Sequence, residues 1–301
     1  MRRIGLSVLG SGIDCTFRAV VLCSVFAAVA VIGVSWLALD GAWAKSVGGD
    51  GSSIRVMTLN LAHGRATARS QAGIARAEIE RNLDRVARLV RDVGPDVVAI
   101  QEADAPSTWS GGFSHVEYVA ERAMLSAVCH GRHFELPLFP VMIQYGTGLI
   151  SAGPLTDCRS IRFGSDQWDT KGFVLATLAV DRRIVTVVSV HLDNRSAKRR
   201  MAQARMMVDE LRRVDGPLIV LGDFNTDGRG ADSLRFVCDA LKLSRVAPES
   251  KDHSMATYPA DRPVERIDWI LISDAFRFAG HGVCDSVVSD HRAVWADIAW
   301  R

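Results

Sequence analysis

Two kinds of apolar spacing organise the chain. Ile79, Leu83, Val86, Val90 and Val93 recur at steps of four, three, four and three, which lines them up as one stripe of a helix. Gly94-Pro95-Asp96 then stops that helix. Met201, Ala204, Val208 and Leu211 form a second stripe, closed off by Gly216-Pro217. Short apolar runs predict strands over residues 54–61, 97–100, 147–151, 161–163, 173–180, 184–191, 218–221, 267–272 and 293–298, with Arg182-Arg183 as a tight turn between two of them. Between residues 103 and 140 the pattern breaks down; loops, an edge element and a short helix are expected there, and no long membrane-inserting hydrophobic hairpin is evident. Two blocks share an order of strand, acidic residue at the strand end, and helix. With hairpins among them, they favour two packed mixed sheets with helices outside.

The first 53 residues change the picture. Residues 19–39 are uncharged and mostly apolar, long enough at 21 residues to span a bilayer as a helix, and Arg2, Arg3 and Arg18 precede them. Ala42-Trp43-Ala44 has the small-residue spacing of a cleavage site. Residues 1–44 therefore read as a signal peptide or a membrane anchor, residues 45–53 as a Gly/Ser-rich linker, and residues 54–301 as one domain. Either form of the leader exports that domain to the periplasm or the extracellular space, secreted or tethered to the membrane. Net charge is +2, of which the leader supplies +1. The near-neutral remainder gives no bulk electrostatic reason to hold long stretches of nucleic acid. Cys129, Cys158, Cys238 and Cys284 follow the leader, an even number in a compartment that permits disulfides, and their pairing is open among three arrangements. Close-spaced Cys/His ligands are lacking, so a zinc site is not expected.

Candidate chemistry gathers where apolar runs end. Thr58-Leu59-Asn60, Gln101-Glu102, Val190-His191-Leu192-Asp193, Gly222-Asp223-Phe224-Asn225 and Ser289-Asp290-His291 each place an acid, a base or an amide just past a strand. Arg266-Ile267-Asp268-Trp269 sets a carboxylate inside an otherwise apolar strand, where burial costs several kcal/mol unless the charge is paired, and a histidine is its natural partner. Taken singly, most of these positions are ordinary turn or cap residues. Their order along one chain is far more specific.

That order resembles the endonuclease/exonuclease/phosphatase superfamily, over roughly residues 54–298, with Gly222-Asp223-Phe224-Asn225 and Ser289-Asp290-His291 as the most diagnostic pieces. The resemblance implies a four-layered α/β sandwich of two mixed β-sheets flanked by helices, and magnesium-dependent hydrolysis of a phosphodiester, with manganese a possible substitute. Carried over, Glu102 binds the metal, Asn60 orients or shares that site, and Asp290 adds a further carboxylate. His291 serves as general base or phosphate contact with its ring fixed by Asp268, Asp223 positions or deprotonates the attacking water, and Asn225 donates to a phosphate oxygen. His191 stands where deoxyribonuclease-like and sphingomyelinase-like members have histidine and abasic-site endonucleases have tyrosine.

Further candidates for substrate contact are His63 and Arg65, close after Asn60, and Lys171, whose Lys171-Gly172 pair resembles one in sphingomyelinase-like members. Tyr145-Gly146-Thr147-Gly148 reads as a small-residue stretch that shapes the backbone before a strand, and Asp193-Asn194 as a helix cap. The substrate expected is a phospholipid headgroup or other small phosphoester; an extracellular nuclease fits the same residues, and a non-catalytic tethered binding module is the reading of a different class. No protein partner is implied.

Overall fold

A computed structural model describes residues 53–164, 170–229, 232–246 and 253–301. The leader, its apolar run and nearly all of the linker lie outside the described residues, among whose helices none is long and apolar enough to cross a membrane.

Lys45–Arg301 forms one compact unit built on two six-stranded sheets. The first contains β1 (Ser53–Asn60), β2 (Val97–Asp104), β3 (Ala127–Leu138), β4 (Val141–Ser151), β11 (Phe276–Val283) and β12 (Val294–Trp300), in the order β11-β12-β1-β2-β4-β3. The second contains β5 (Thr156–Arg162), β6 (Gly172–Val180), β7 (Arg183–His191), β8 (Leu218–Asp223), β9 (Ser244–Arg245) and β10 (Asp268–Ile272), in the order β5-β6-β7-β8-β10-β9. Among the described residues only β1–β2 and β7–β8 pair in parallel, and each of these pairs is bridged by a helix, α1 (Arg76–Val93) and α3 (Ala197–Leu211) respectively. Both sheets are therefore mixed.

The period-two alternation of the strands sorts side chains into layers. Ile54 and Val56 of β1, Val185 and Val187 of β7, and Ile219 and Leu221 of β8 meet in a central core between the sheets. Met57 and Leu59 face outward onto α1 and α2 (His115–Ala123), and Val188, Val190 and Val220 face α3 and α4 (Ser233–Leu241). Helix, sheet, sheet and helix make the four layers. The only disulfide among the described residues, Cys129–Cys158, ties edge strand β3 to edge strand β5, and Cys238 and Cys284 are free.

Several local expectations need correction. The turn before β7 is Asp181-Arg182, both at positive φ, one residue earlier than expected. Ser196, not Asp193 or Asn194, caps α3 by accepting from the Arg199 amide; Asp193 instead accepts from the amides of Arg195 and Ser196. Tyr145-Gly146-Thr147-Gly148 lies inside β4, where a Cβ on Gly146 would sit 2.0 Å from the Gly131 carbonyl oxygen of β3. Backbone shape is indeed its role. A long apolar hairpin does exist: β3 and β4 pair as far as Leu138 and Val141 and present Leu136 to Ile143 at their tip. Its two prolines break up the strand pattern in the sequence, because proline fits poorly into a regular ladder.

Candidate active site

The polar site grows out of the central core. Along β1 the inward positions run Ile54, Val56, Thr58, Asn60; along β7, Val185, Val187, Ser189, His191; along β8, Ile219, Leu221, Asp223. Each series turns from apolar to polar towards the C-terminal end of its strand. Because β10 is antiparallel to β8, with Asp268 directly opposite Asp223, its first residue joins the same end. Gln101 carries the transition: its amide donates to Ser189 Oγ across the sheets, and its carbonyl accepts from Thr58.

Strand β2 needs a special device. Val98 and Ile100 face the helices and so does Ala103, so the alternation changes phase between Ile100 and Ala103, where the pairing with β4 shifts register. Glu102 sits in that bulge at φ 47°, and the phase change turns Glu102 and Asp104 towards the site.

Two groups of side chains result. In the first, Asp223 is buried, with Oδ1 accepting from the Asn225 amide at 2.9 Å and Oδ2 from Asn60 Nδ2 at 3.1 Å. His291 Nδ1 lies 2.9 Å from Asp268 Oδ2, which also accepts from Thr257 Oγ1 at 2.6 Å, and His291 Nε2 lies 3.9 Å from Asp223 Oδ2. The three groups bring ligand-type atoms within 4.8 Å of one another. Burial alone would lower the His291 pKa, but Asp268 foremost, then Asp223, reverse this and push it up to about 10. Burial raises Asp223 to about 7, with His291 pulling down and Asp268 pushing up. With Nδ1 on Asp268 and Nε2 facing Asp223, the ring is placed to pass a proton between its surroundings and a bound substrate.

In the second group, Glu102 Oε2 lies 3.4 Å from His63 Nε2 and 3.6 Å from Arg65 Nη1, and Oε1 lies 3.5 Å from Lys171 Nζ. Arg65 Nη2 reaches Asp290 Oδ2 at 2.5 Å. Burial would raise Glu102, but His63 and then Lys171 outweigh it and hold the carboxyl well below its usual range. Burial lifts Asp290, with His291 and Arg65 opposing. Glu102 and Asp290 thus share one guanidinium between them: two hard oxygen donors around a position already held by a cationic group. That donor set fits a hard divalent cation.

Lys171 joins the two groups. Its ammonium donates to His191 Nε2 at 2.7 Å, and His191 Nε2 in turn lies 3.3 Å from Asp223 Oδ2. Burial, then Lys171, keep His191 well below its ordinary pKa, so the His191–Asp223 contact is not an ion pair. The Lys171 side chain is only 11% exposed, as a lysine held inside a site would be.

All the expected site residues converge on this end of the sandwich, with one qualification of geometry: Asn225 spends one amide hydrogen on the Leu192 carbonyl at 2.9 Å and stands at φ 51°. Gly222, before Asp223, is required by packing, since a Cβ there would lie 2.0 Å from the Val190 carbonyl oxygen. Residues missed in the sequence also line the site. Asp104 binds His63 Nδ1 at 2.7 Å and Trp109 Nε1 at 2.5 Å, and Tyr258 packs its ring 4.9 Å from that of His291. Asp104 follows Glu102 by two, the spacing of one strand face, and that signal could have found it. Thr257 and Tyr258 arrive from an irregular segment with no periodicity to flag them.

A two-sheet α/β sandwich with an aspartate–histidine–aspartate trio and a carboxylate pair at its strand ends defines a class of hydrolytic phosphoesterase. The family model for the endonuclease/exonuclease/phosphatase family matches residues 57–291, and the chain belongs to that family. Its members are hydrolytic phosphoesterases, generally dependent on a divalent metal, acting on phosphodiesters such as nucleic acids or sphingomyelin. Among solved structures, an endonuclease/exonuclease/phosphatase protein of Beutenbergia cavernae aligns at TM-score 0.65 with 18% identity, covering 83% of this chain and 72% of that one. Sphingomyelinase C of Streptomyces griseocarneus aligns at 0.58 with 20% identity, over 81% and 99%. The human nocturnin catalytic domain aligns at 0.60 with 17% identity, over 83% and 95%. These identities establish a shared fold. No curated protein sequence matches the chain.

Proposed function

We propose that this chain is an exported, magnesium-dependent phosphodiesterase that hydrolyses a phospholipid headgroup or another small phosphoester. The observation that carries the reading is the trio of Asp268, His291 and Asp223, in which one carboxylate fixes the ring and the other faces its free nitrogen. Export rests on the apolar run and flanking arginines of the leader. The small or lipid substrate is supported by the near-neutral domain and by Lys171 at the start of β6.

In the proposed mechanism Asp223, whose affinity for a proton is raised by burial, takes one proton from the attacking water. The water oxygen forms the new bond to phosphorus as the bond to the leaving oxygen breaks; the leaving oxygen departs with the bonding pair and takes a proton from solvent, and Asp223 gives its proton back to solvent. Protonated His291, aligned by Asp268, and Lys171 offer N–H donors to the phosphoryl oxygens as their charge grows. Asn60 and the Asn225 amide hold the Asp223 carboxylate in place. Glu102 and Asp290 would hold the magnesium ion, with Asn60 beside them, and manganese is expected to substitute; when bound, the ion supplies positive charge to the non-bridging oxygens. Arg65 and His63 lie against Glu102 and are positioned to contact substrate phosphate.

The test is hydrolysis of sphingomyelin vesicles, bis(p-nitrophenyl) phosphate and supercoiled DNA by residues 45–301 with magnesium, using His291→Ala as blank. Headgroup release or small-ester turnover, lost in the blank and in chelator, is expected. Nicking of DNA alone would replace the lipid reading with that of an exported nuclease. Inactivity on all three substrates would sink the assignment.

A further inference from the structure

The β3–β4 hairpin is the one described segment that places a continuous run of large apolar side chains in water. Phe139 is 99% exposed, Leu138 64%, Leu136 41%, Val141 40% and Met142 38%. Leu138 pairs with Val141, Pro137 with Met142 and Leu136 with Ile143, so the pleat puts apolar side chains on both faces and at the end. Eight residues in a row, Leu136 to Ile143, carry no charge or side-chain hydrogen-bonding group. Below them the hairpin turns polar at once: Arg132 bonds Gln144 at 3.0 Å and pairs with Glu135 at 3.4 Å.

Its place is as telling as its composition. Strand β2 ends at Asp104, opposite Tyr145 of β4, and β4 reaches Val141 on the far side of that point. The tip therefore extends roughly 13–20 Å beyond the level of Asp104, on the side where Glu102 and Asp104 face the site, at about 3.3 Å per residue. Where β2 stops, the free edge of β4 is satisfied by side chains. Ser107 Oγ donates to the Gln144 carbonyl at 2.7 Å and accepts from its amide at 2.8 Å; Thr108 Oγ1 does the same for Met142 at 3.0 and 3.2 Å. Pro137 and Pro140 remove two further backbone donors.

We propose that this hairpin inserts into a lipid surface and sets the site against the headgroup layer. A protein partner would cover one face of the ribbon, whereas a ribbon apolar on both faces and at its end fits a medium that surrounds it. A second copy adding to the β3 edge is opposed by Pro137, which interrupts edge pairing. Backbone groups satisfied near the base and missing at the prolines are what a low-dielectric environment demands. The apolar length, about 13 Å from Ile143 to Phe139, covers the 5–10 Å depth of interfacial insertion. The inference deepens the phospholipid reading and rests on it only for the choice of substrate, since docking needs no turnover.

The experiment is co-sedimentation of residues 45–301, a compact unit containing all three apolar clusters, with phosphatidylcholine–sphingomyelin vesicles in EDTA. The wild type should bind with little dependence on salt, and Leu138→Ser/Phe139→Ser should lower the bound-to-free ratio at least tenfold. The same variant should keep its turnover of bis(p-nitrophenyl) phosphate, while Ile184→Ser, a control at the start of β7, should leave vesicle binding intact. In Phe139→Trp, quenching by brominated lipid should report the tip directly. Equal sedimentation of wild type and double variant, or a dimer in solution that the double variant dissociates, would overturn the proposal. Vesicle binding without lipid hydrolysis would keep the docking surface and remove only the lipid substrate.

Discussion

The site and the hairpin tip break the rule of apolar inside and polar outside in opposite directions. At the strand ends, Asp223, Asp268, His191 and His291 are buried; at the tip, Leu138 and Phe139 stand in solvent. Each arrangement is costly on its own, since buried charge loses hydration and exposed apolar surface gains nothing from burial. The costs are met differently. The buried groups find their protein partners within the chain, as Asp223 does in Asn60, His291 in Asp268 and His191 in Lys171. The tip has no such partners and is complete only against something else. Both exceptions lie towards the same end of the sandwich.

The sharpest way to break this comparison is to disable one region and watch the other. His291→Ala and Asp223→Asn should each lower turnover by roughly 10²–10⁴-fold, the usual worth of a positioned acid or base, measured on bis(p-nitrophenyl) phosphate. Neither should change vesicle binding in chelator. A parallel loss of binding would show that the two regions are one folding unit rather than two functions.

A second intervention sharpens the cation side. EDTA should abolish turnover, and magnesium or manganese should restore it in the wild type. Glu102→Gln keeps shape but removes a ligand charge, so the magnesium needed for half-maximal rate should rise at least tenfold, a factor worth about 1.4 kcal/mol. Titration calorimetry of magnesium with the inactive His291→Ala protein gives an independent readout. An unchanged magnesium requirement in Glu102→Gln would place the ion elsewhere.

These regions differed as much in how they could be read from sequence. The site was legible because polar residues interrupt apolar runs, and a strand that starts with Ile54 and Val56 and ends with Asn60 announces its own polar end. The bulge at Glu102 was not legible, since a phase shift of one residue exists only in the pairing with β4. Strand β11 carries an alternating Phe276 and Phe278 that could have been caught, whereas α4 has only Leu234 and Val237 as fully buried apolar anchors, too few to establish a period. The tip was missed because Leu-Pro-Leu-Phe-Pro reads as a loop when its pairing partner is unseen.

The root of the hairpin offers a smaller test. Cys129–Cys158 joins β3 to β5 at a sequence separation of 29, so its loss should cost about 3.6 kcal/mol. In Cys129→Ser/Cys158→Ser the melting temperature should fall by several degrees, and amide exchange should rise first in β3 and β5. Loss of protection spread evenly over both sheets would mean that the hairpin root is not a separate region.

His133, on β3 between that root and the site, gives the smallest effect and the most discriminating sign. Its ring is buried against Thr147, with Nε2 2.9 Å from Oγ1. Burial first, then His130 and Lys171, push its pKa down to about 3 from an ordinary 6.5. The unfolded chain therefore binds a proton that the folded chain refuses. Stability from the neutral ring is complete above pH 6.5 and is lost as pH falls from there towards 3, at no more than about 1.4 kcal/mol per pH unit. His133→Gln, which can still bond Thr147 but does not titrate, should flatten the fall of melting temperature between pH 6 and 4. An unchanged slope would assign the acid sensitivity to the buried carboxylates of the site, placing the weak point of the fold at its chemistry rather than under its hairpin.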